Sequence, residues 1–123
     1  MVEIKESEIK NVGAWTYRTN EEECYITAYM TDKEMWFKLR DIYDAIHEPN
    51  MSAFDTIHKD EYAIIVFDNY DDSPRDTMAA SVSGLYSILN HIGTDATSDL
   101  GRMISREVIP SAYHWTKSED SDV

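Results

Sequence analysis

The residues that could do chemistry in this chain are few and scattered. Four histidines (His47, His58, His91 and His114) and one cysteine, Cys24, are its only imidazole and thiol groups. A zinc site needs Cys or His pairs a few residues apart, so that one turn or one helix face aims both at the same ion; no two of these residues stand that close. His58 and His91 read instead as polar edge residues that hydrogen-bond across the fold. The carboxylate-rich stretch DNYDDSPRD at 68–76 lacks the Asp-x-Asp-x-Asp-Gly order and the distant glutamate of a calcium loop, and reads as a solvated loop. Covalent catalysis needs a nucleophile beside a base, and acid–base work by two carboxylates needs unlike environments. Ser83 and Ser111 have no neighbouring histidine in a recognisable motif, and the four glycines are too dispersed for a phosphate-cradling loop. These residues in this order predict no enzyme, no metal and no cofactor.

Charge is the stronger signal. Eleven basic residues against twenty-four acidic ones give a net charge of −13, which repels a phosphate backbone at long range unless a local basic patch overrides it. DNA is thus a disfavoured partner. The acid gathers at Glu21, Glu22 and Glu23, at Asp68, Asp71 and Asp72, and at Glu119, Asp120 and Asp122. Surplus carboxylates serve solubility; a sharper use is to imitate DNA and occupy a basic groove on another protein. The first two clusters are the candidate partner-binding surface. Lys38, Arg40, Arg102 and Arg106 are the only basic residues that could group into a nucleic-acid contact. Asp99, three residues before Arg102, and Glu107, next to Arg106, offer them local pairing instead. Trp15, Trp36, Trp115 and the tyrosines read chiefly as core, with Tyr70 or Tyr113 available to anchor a partner if exposed.

Elements to position these groups follow from periodicity. AWTYRT and CYITAYM flank NEEE as two strands of a hairpin, and TDKE turns the chain into a third strand, MWF. Leu39, Ile42, Tyr43 and Ile46 then fall on one helical face, with Pro49 closing the helix and Asn50 capping a short one that points Phe54 and Ile57 inward. YAIIVF reads as a strand buried on both faces, and TMAAS as its return strand. Ser83 can cap a helix carrying Leu85, Ile88, Leu89 and Ile92, stopped by Gly93. A last helix begins at Asp95, with Ala96, Leu100, Met103, Ile104 and Val108 inside and Arg102 and Arg106 on an outer edge. Pro110 has no N–H for the carbonyl of Arg106, and its ring crowds that carbonyl, so the helix must kink or end there and turn Tyr113 and Trp115 toward the body.

The expected fold is a small α+β domain: an antiparallel sheet, made of an N-terminal three-strand meander plus a later strand or hairpin, packed with three to four helices. The expected organisation is a flexible N-terminus at 1–11, one domain at 12–116 and an acidic disordered tail at 117–123. No run reaches the roughly 18–20 apolar residues of a membrane span, and MVEIKESEIK is too charged for a signal peptide. With a single cysteine, the composition suits the cytoplasm or nucleus of a cell rather than secretion.

Four segments in order, MWFKLRDIYDAI, FDTIHKDEY, SVSGLYSILNHIG and GRMISREVIPS, give the chain a resemblance to the Bro-N domain of the BRO and phage antirepressor proteins. In that family a hairpin ends in a Trp-Phe pair running into a Lys-Asp helix, and a His-(Val/Ile)-Asp-Glu-like segment follows. Ser-Gly-Leu-Tyr opens a later helix, and an Arg-Trp-Val-x-x-Glu-Val-Leu-Pro-Ser-like helix closes the domain. Trp36, Phe37, Asp41, Ser83, Gly84, Leu85, Tyr86, Arg102, Glu107, Val108, Ile109, Pro110 and Ser111 stand at matching positions, over roughly residues 23–112. The resemblance implies a viral or prophage regulatory protein, with nucleic-acid binding or repressor antagonism as associated roles. This chain departs from the pattern at the turn Asp32-Lys33, where glycine is common, and at Met103, where tryptophan is usual. Asp55, Asp95 and Asp99 replace common lysines, and no counterpart of the family's C-terminal domain follows. The expected activity is therefore binding and modulation of another protein, a DNA-binding or host-defence factor, through the acidic surface. The alternative is direct DNA binding by the local basic patch. A third reading is a purely structural or self-associating protein, an oligomer with no other ligand.

Overall fold

The computed structural model describes residues 1–47, 58–67 and 76–112. It is an α+β fold whose six-stranded mixed sheet has the order β1-β5-β6-β4-β3-β2. The strands are β1 (Val2–Lys5), β2 (Asn11–Arg18), β3 (Glu23–Met30), β4 (Met35–Lys38), β5 (Tyr62–Val66) and β6 (Thr77–Ser81). The helices are α1 (Leu39–Ala45), α2 (Val82–Ile92) and α3 (Asp95–Met103), the last continued by a π-helical stretch, Ile104–Val108. β2, β3 and β4 form the expected antiparallel meander, with Trp15 opposite Ile26 and Tyr29 opposite Trp36. β6 adds antiparallel to β4, β5 antiparallel to β6, and β1 parallel to β5.

Both meander turns are built by the same four residues in outline, Thr-x-x-Glu. In Thr19–Glu22 and Thr31–Glu34 the threonine N–H donates to the glutamate carbonyl, at 2.9 and 3.0 Å. The threonine Oγ1 accepts the N–H groups of the third and fourth residues. A side chain thus does the work that a left-handed glycine does in tighter turns. Among the described residues only His47 and Gly93 have positive φ, so Asp32-Lys33 needs no glycine.

The helices lie over β3, β4 and β6. Ile26, Ala28 and Phe37 of the sheet meet Ile42 of α1, Leu85 and Leu89 of α2, and Leu100, Ile104 and Val108 beyond them. Leu39, Tyr43, Ala80 and Ile88 extend this layer. Trp36 points the other way, into a second cluster with Ile4, Tyr29, Ala63, Ile65 and Ala79. Burying both sides of the sheet makes Trp-Phe at 36–37 a pair of opposed anchors, since successive strand residues face opposite sides.

Several expectations change. The N-terminus is not loose at its start: Val2 and Ile4 alternate with Glu3 and Lys5, a strand pattern hidden by charge, and Ile4 is 4% exposed beside Ile65. β5 is fully buried on one face only, at Ala63 and Ile65, while Tyr62, Ile64 and Val66 on the other are half-buried. Ser81, not Ser83, caps α2 by accepting the Gly84 N–H at 3.2 Å, while Gly93 closes the helix at φ 63° as expected. Asp95 is the first residue of α3, and Thr94 and Thr97 cap each other's backbone before it. α1 gives way at Ile46 and His47; Pro49, Asn50, Phe54 and Ile57 lie outside the described residues.

Pro110 does not end the last helix, which runs helically through Ala112. The wide turn before it, where Ile109 N–H bonds to Ile104 O, gives the proline ring room. It also serves packing: Leu100, Ile104, Val108 and Ala112 recur every fourth residue, a spacing that drifts round a 3.6-residue helix. The wider turn takes up that drift, and all four are buried. Tyr113 and Trp115 lie outside the described residues.

Candidate functional site

Two motif residues of the sequence turn out to be joints. Asp41, in the first turn of α1, accepts the Thr27 N–H at 2.9 Å, completing β3 where β4 has given way to helix. Gly84 sits against the carbonyl of Glu61: a Cβ built there would lie 2.5 Å from Glu61 O, and the same oxygen accepts the Ser81 N–H at 2.8 Å. The segment ending HKDEY is thus locked to the start of α2 through backbone contacts.

The acidic tip of the β2–β3 hairpin is partly neutralised within the fold. Glu23 pairs with Arg18 at 2.9 Å, and Glu22 meets His47 Nε2 at 2.6 Å. Glu21 is exposed and has no ion pair among the described residues. Asp68, Asp71 and Asp72 lie outside the described residues, so the hairpin is the described part of the proposed acidic surface.

The four basic candidates are not drawn into one lining. Lys38 ends β4 opposite Ala79. Arg40 projects from α1 with its side chain 82% exposed and Asp44 at 3.8 Å. Arg102 and Arg106 line a groove of about 460 Å³ between β2 and α3, together with Thr16, Tyr17, Arg18, Asp99, Met103 and Glu107. Arg18 is the basic residue that sequence reasoning missed; only the packing of β2 against α3 brings it there. Asp99 stands 3.9 Å from Arg102, so the expected local pairing is present but loose. The Tyr17 phenol in this groove is pushed up by burial, then by Asp99 and Cys24, and stays a neutral donor.

Cys24 shows no sign of activation. Burial first, and then Glu22, Asp41 and Asp44, push its thiol up, away from the thiolate that a nucleophile needs. Among the described residues no three His, Cys, Asp or Glu side chains stand close enough to hold a metal ion, and no helix is long and apolar enough to cross a membrane.

Glu34 is half-buried, and burial, then Asp60 and Glu61, push its carboxyl up. A carboxyl that ionises less readily in the folded chain favours folding while protonated, and that contribution is lost as pH rises through the raised value. Glu34→Gln is therefore expected to melt higher than wild type at neutral pH and equally at acid pH. Parallel melting curves for the two proteins from about pH 4 to pH 7 would contradict this.

The remaining feature is β2 itself, an eight-residue edge strand. The Thr19–Glu22 backbone bond sets the ladder's alternation: Gly13, Trp15 and Tyr17 bond toward β3, while Val12, Ala14, Thr16 and Arg18 turn their N–H and C=O outward. Thr27 agrees, since it lies opposite Ala14 and gives its N–H to Asp41. The side chains of Val12, Ala14, Thr16 and Arg18 are exposed. Val12 and Tyr25, 57% and 58% exposed, share a face that the pairing of Thr16 with Tyr25 continues. No family model, curated protein or solved structure matches the chain.

Proposed function

We propose that this chain is a Bro-N-like regulatory protein of a virus or prophage, without catalytic activity, that acts by binding another protein. The observation that carries the reading is the β2–β3 hairpin, which presents Tyr25 and Val12 to solvent on one face and an exposed Glu21 at its tip. Exposed aromatics supply interface anchors, and exposed carboxylates steer a basic partner such as a DNA-binding or host-defence factor. Charge reversal at Glu21, Asp68, Asp71 and Asp72 is expected to weaken that complex and flatten its dependence on salt. The test uses wild type, the charge-reversed chain and Tyr25→Ala as parallel baits in host-cell lysate. Support is a retained species that both variants lose; three identical profiles would remove this surface from consideration.

The groove holding Arg18, Arg102 and Arg106 favours a second reading, direct DNA binding. Its mark would be a mobility shift of duplex DNA at low salt that weakens steeply with added salt and is lost in Arg102→Ala/Arg106→Ala. No shift at tens of micromolar protein would eliminate it.

A further inference from the structure

We propose that two copies of this chain join edge to edge through β2, antiparallel, about a two-fold axis perpendicular to the sheet that passes between the Trp15 residues of the two copies. Among the described residues β2 lacks the usual defences of an edge strand. It is eight residues long, has no proline, and carries no charge from Asn11 to Tyr17, whereas protected edges are short, charged, bulged or covered.

Self-pairing about Trp15 fits this strand in three ways. Val12 falls opposite Arg18 of the second copy and Ala14 opposite its Thr16, so every outward-facing residue of β2 enters a bonded pair, as such ladders require. Gly13 falls opposite Tyr17 of the second copy, beside the groove walled by Arg102 and Arg106, where the smallest side chain leaves room for the overhanging helix. Gly13 is not required by its own backbone, since its φ is not positive. A strand-interior glycine often marks the close approach of another backbone. Continued past the strand, the register sets Lys10 opposite Asn20 of the second copy, next to its Glu21, which has no ion pair among the described residues. That local complementarity works against the repulsion of two chains at −13 each, so added salt strengthens the dimer.

The register supplies the test. Sedimentation equilibrium of the wild-type chain is expected to show twice the chain mass, with the dimer fraction rising with salt. Ala14→Lys/Thr16→Lys places like charges directly opposite across the axis, at positions exposed in the single protomer, and is expected to sediment at the chain mass with an unchanged circular dichroism spectrum. Ala14→Lys/Thr16→Glu places opposite charges there and restores the dimer. A wild-type chain that stays monomeric up to millimolar concentration overturns the proposal. So does a double-lysine variant that dimerises as well as wild type, and so does a failure of the Lys/Glu variant to recover.

Discussion

Gly84→Ala is expected to lower the stability of this protein by about 2 kcal/mol or more, although the same change raises helix propensity by about 1 kcal/mol. The added methyl would stand 2.5 Å from Glu61 O and 3.1 Å from Glu61 Cβ. A carbonyl on a strand-flanking turn cannot swing aside as a flexible side chain would, so the start of α2 must lift. Forcing a methyl into a closed site costs about 1–3 kcal/mol. Lifting α2 also strains the Ser81 N–H to Glu61 O bond, and Ser81 is buried, so a lost partner adds roughly 1–3 kcal/mol. At roughly 4 °C per kcal/mol for a domain of this size, the melting temperature is expected to fall by about 8 °C or more. Gly101→Ala is the control. Its methyl would meet Tyr86 Cε1 at 3.4 Å and Leu89 Cδ1 at 3.6 Å, ordinary contact at the α2–α3 crossing, so that variant is expected to melt near or above wild type. Equal melting of Gly84→Ala and wild type would show that Glu61 does not press on α2.

Asp41→Ala is expected to cost about 1–3 kcal/mol by leaving the Thr27 N–H without an acceptor in a half-buried position. Asp41→Asn keeps a side-chain oxygen at the same reach and is expected to recover most of the loss. Asp41→Leu, which keeps the bulk but offers no acceptor, is expected to lose as much as Asp41→Ala. Hydrogen exchange gives a local reading: the Thr27 amide, protected by a 2.9 Å bond to the carboxylate, is expected to exchange faster in Asp41→Ala and not in Asp41→Asn. The Cys24 thiol gives another. Asp41 is among the charges that push it up, after burial and Glu22, so removing that charge lowers it and thiol labelling should quicken in both variants. Unchanged exchange at Thr27 would mean that β3 does not depend on α1 for this bond.

The positions of both residues were visible in the sequence, but not their work. Asp41 and Gly84 are marked by the family resemblance alone. Their partners, Thr27 and Glu61, lie on other elements, and no period or spacing connects them. Ser83 looked like the cap of α2 because serine before an apolar run fits the rule, yet Ser81 fits it equally, and the end of β6 decided between them. In the same way Arg18 reads as a hairpin residue until β2 packs beside α3 and makes it a third arginine in the groove.

Local pattern alone determined the meander, the face of α1, the stripe and glycine stop of α2, and the inner row of α3, because each depends on neighbours within a few residues. Only the tertiary structure decided that Val2–Lys5 is a strand, that Trp36 and Phe37 anchor opposite sides of one sheet, that Pro110 rides on a widened helical turn, and that β2 is left at an edge. Those outcomes depend on which distant segments meet, and the free energy of such meetings comes from shared burial and backbone pairing that neither segment carries by itself.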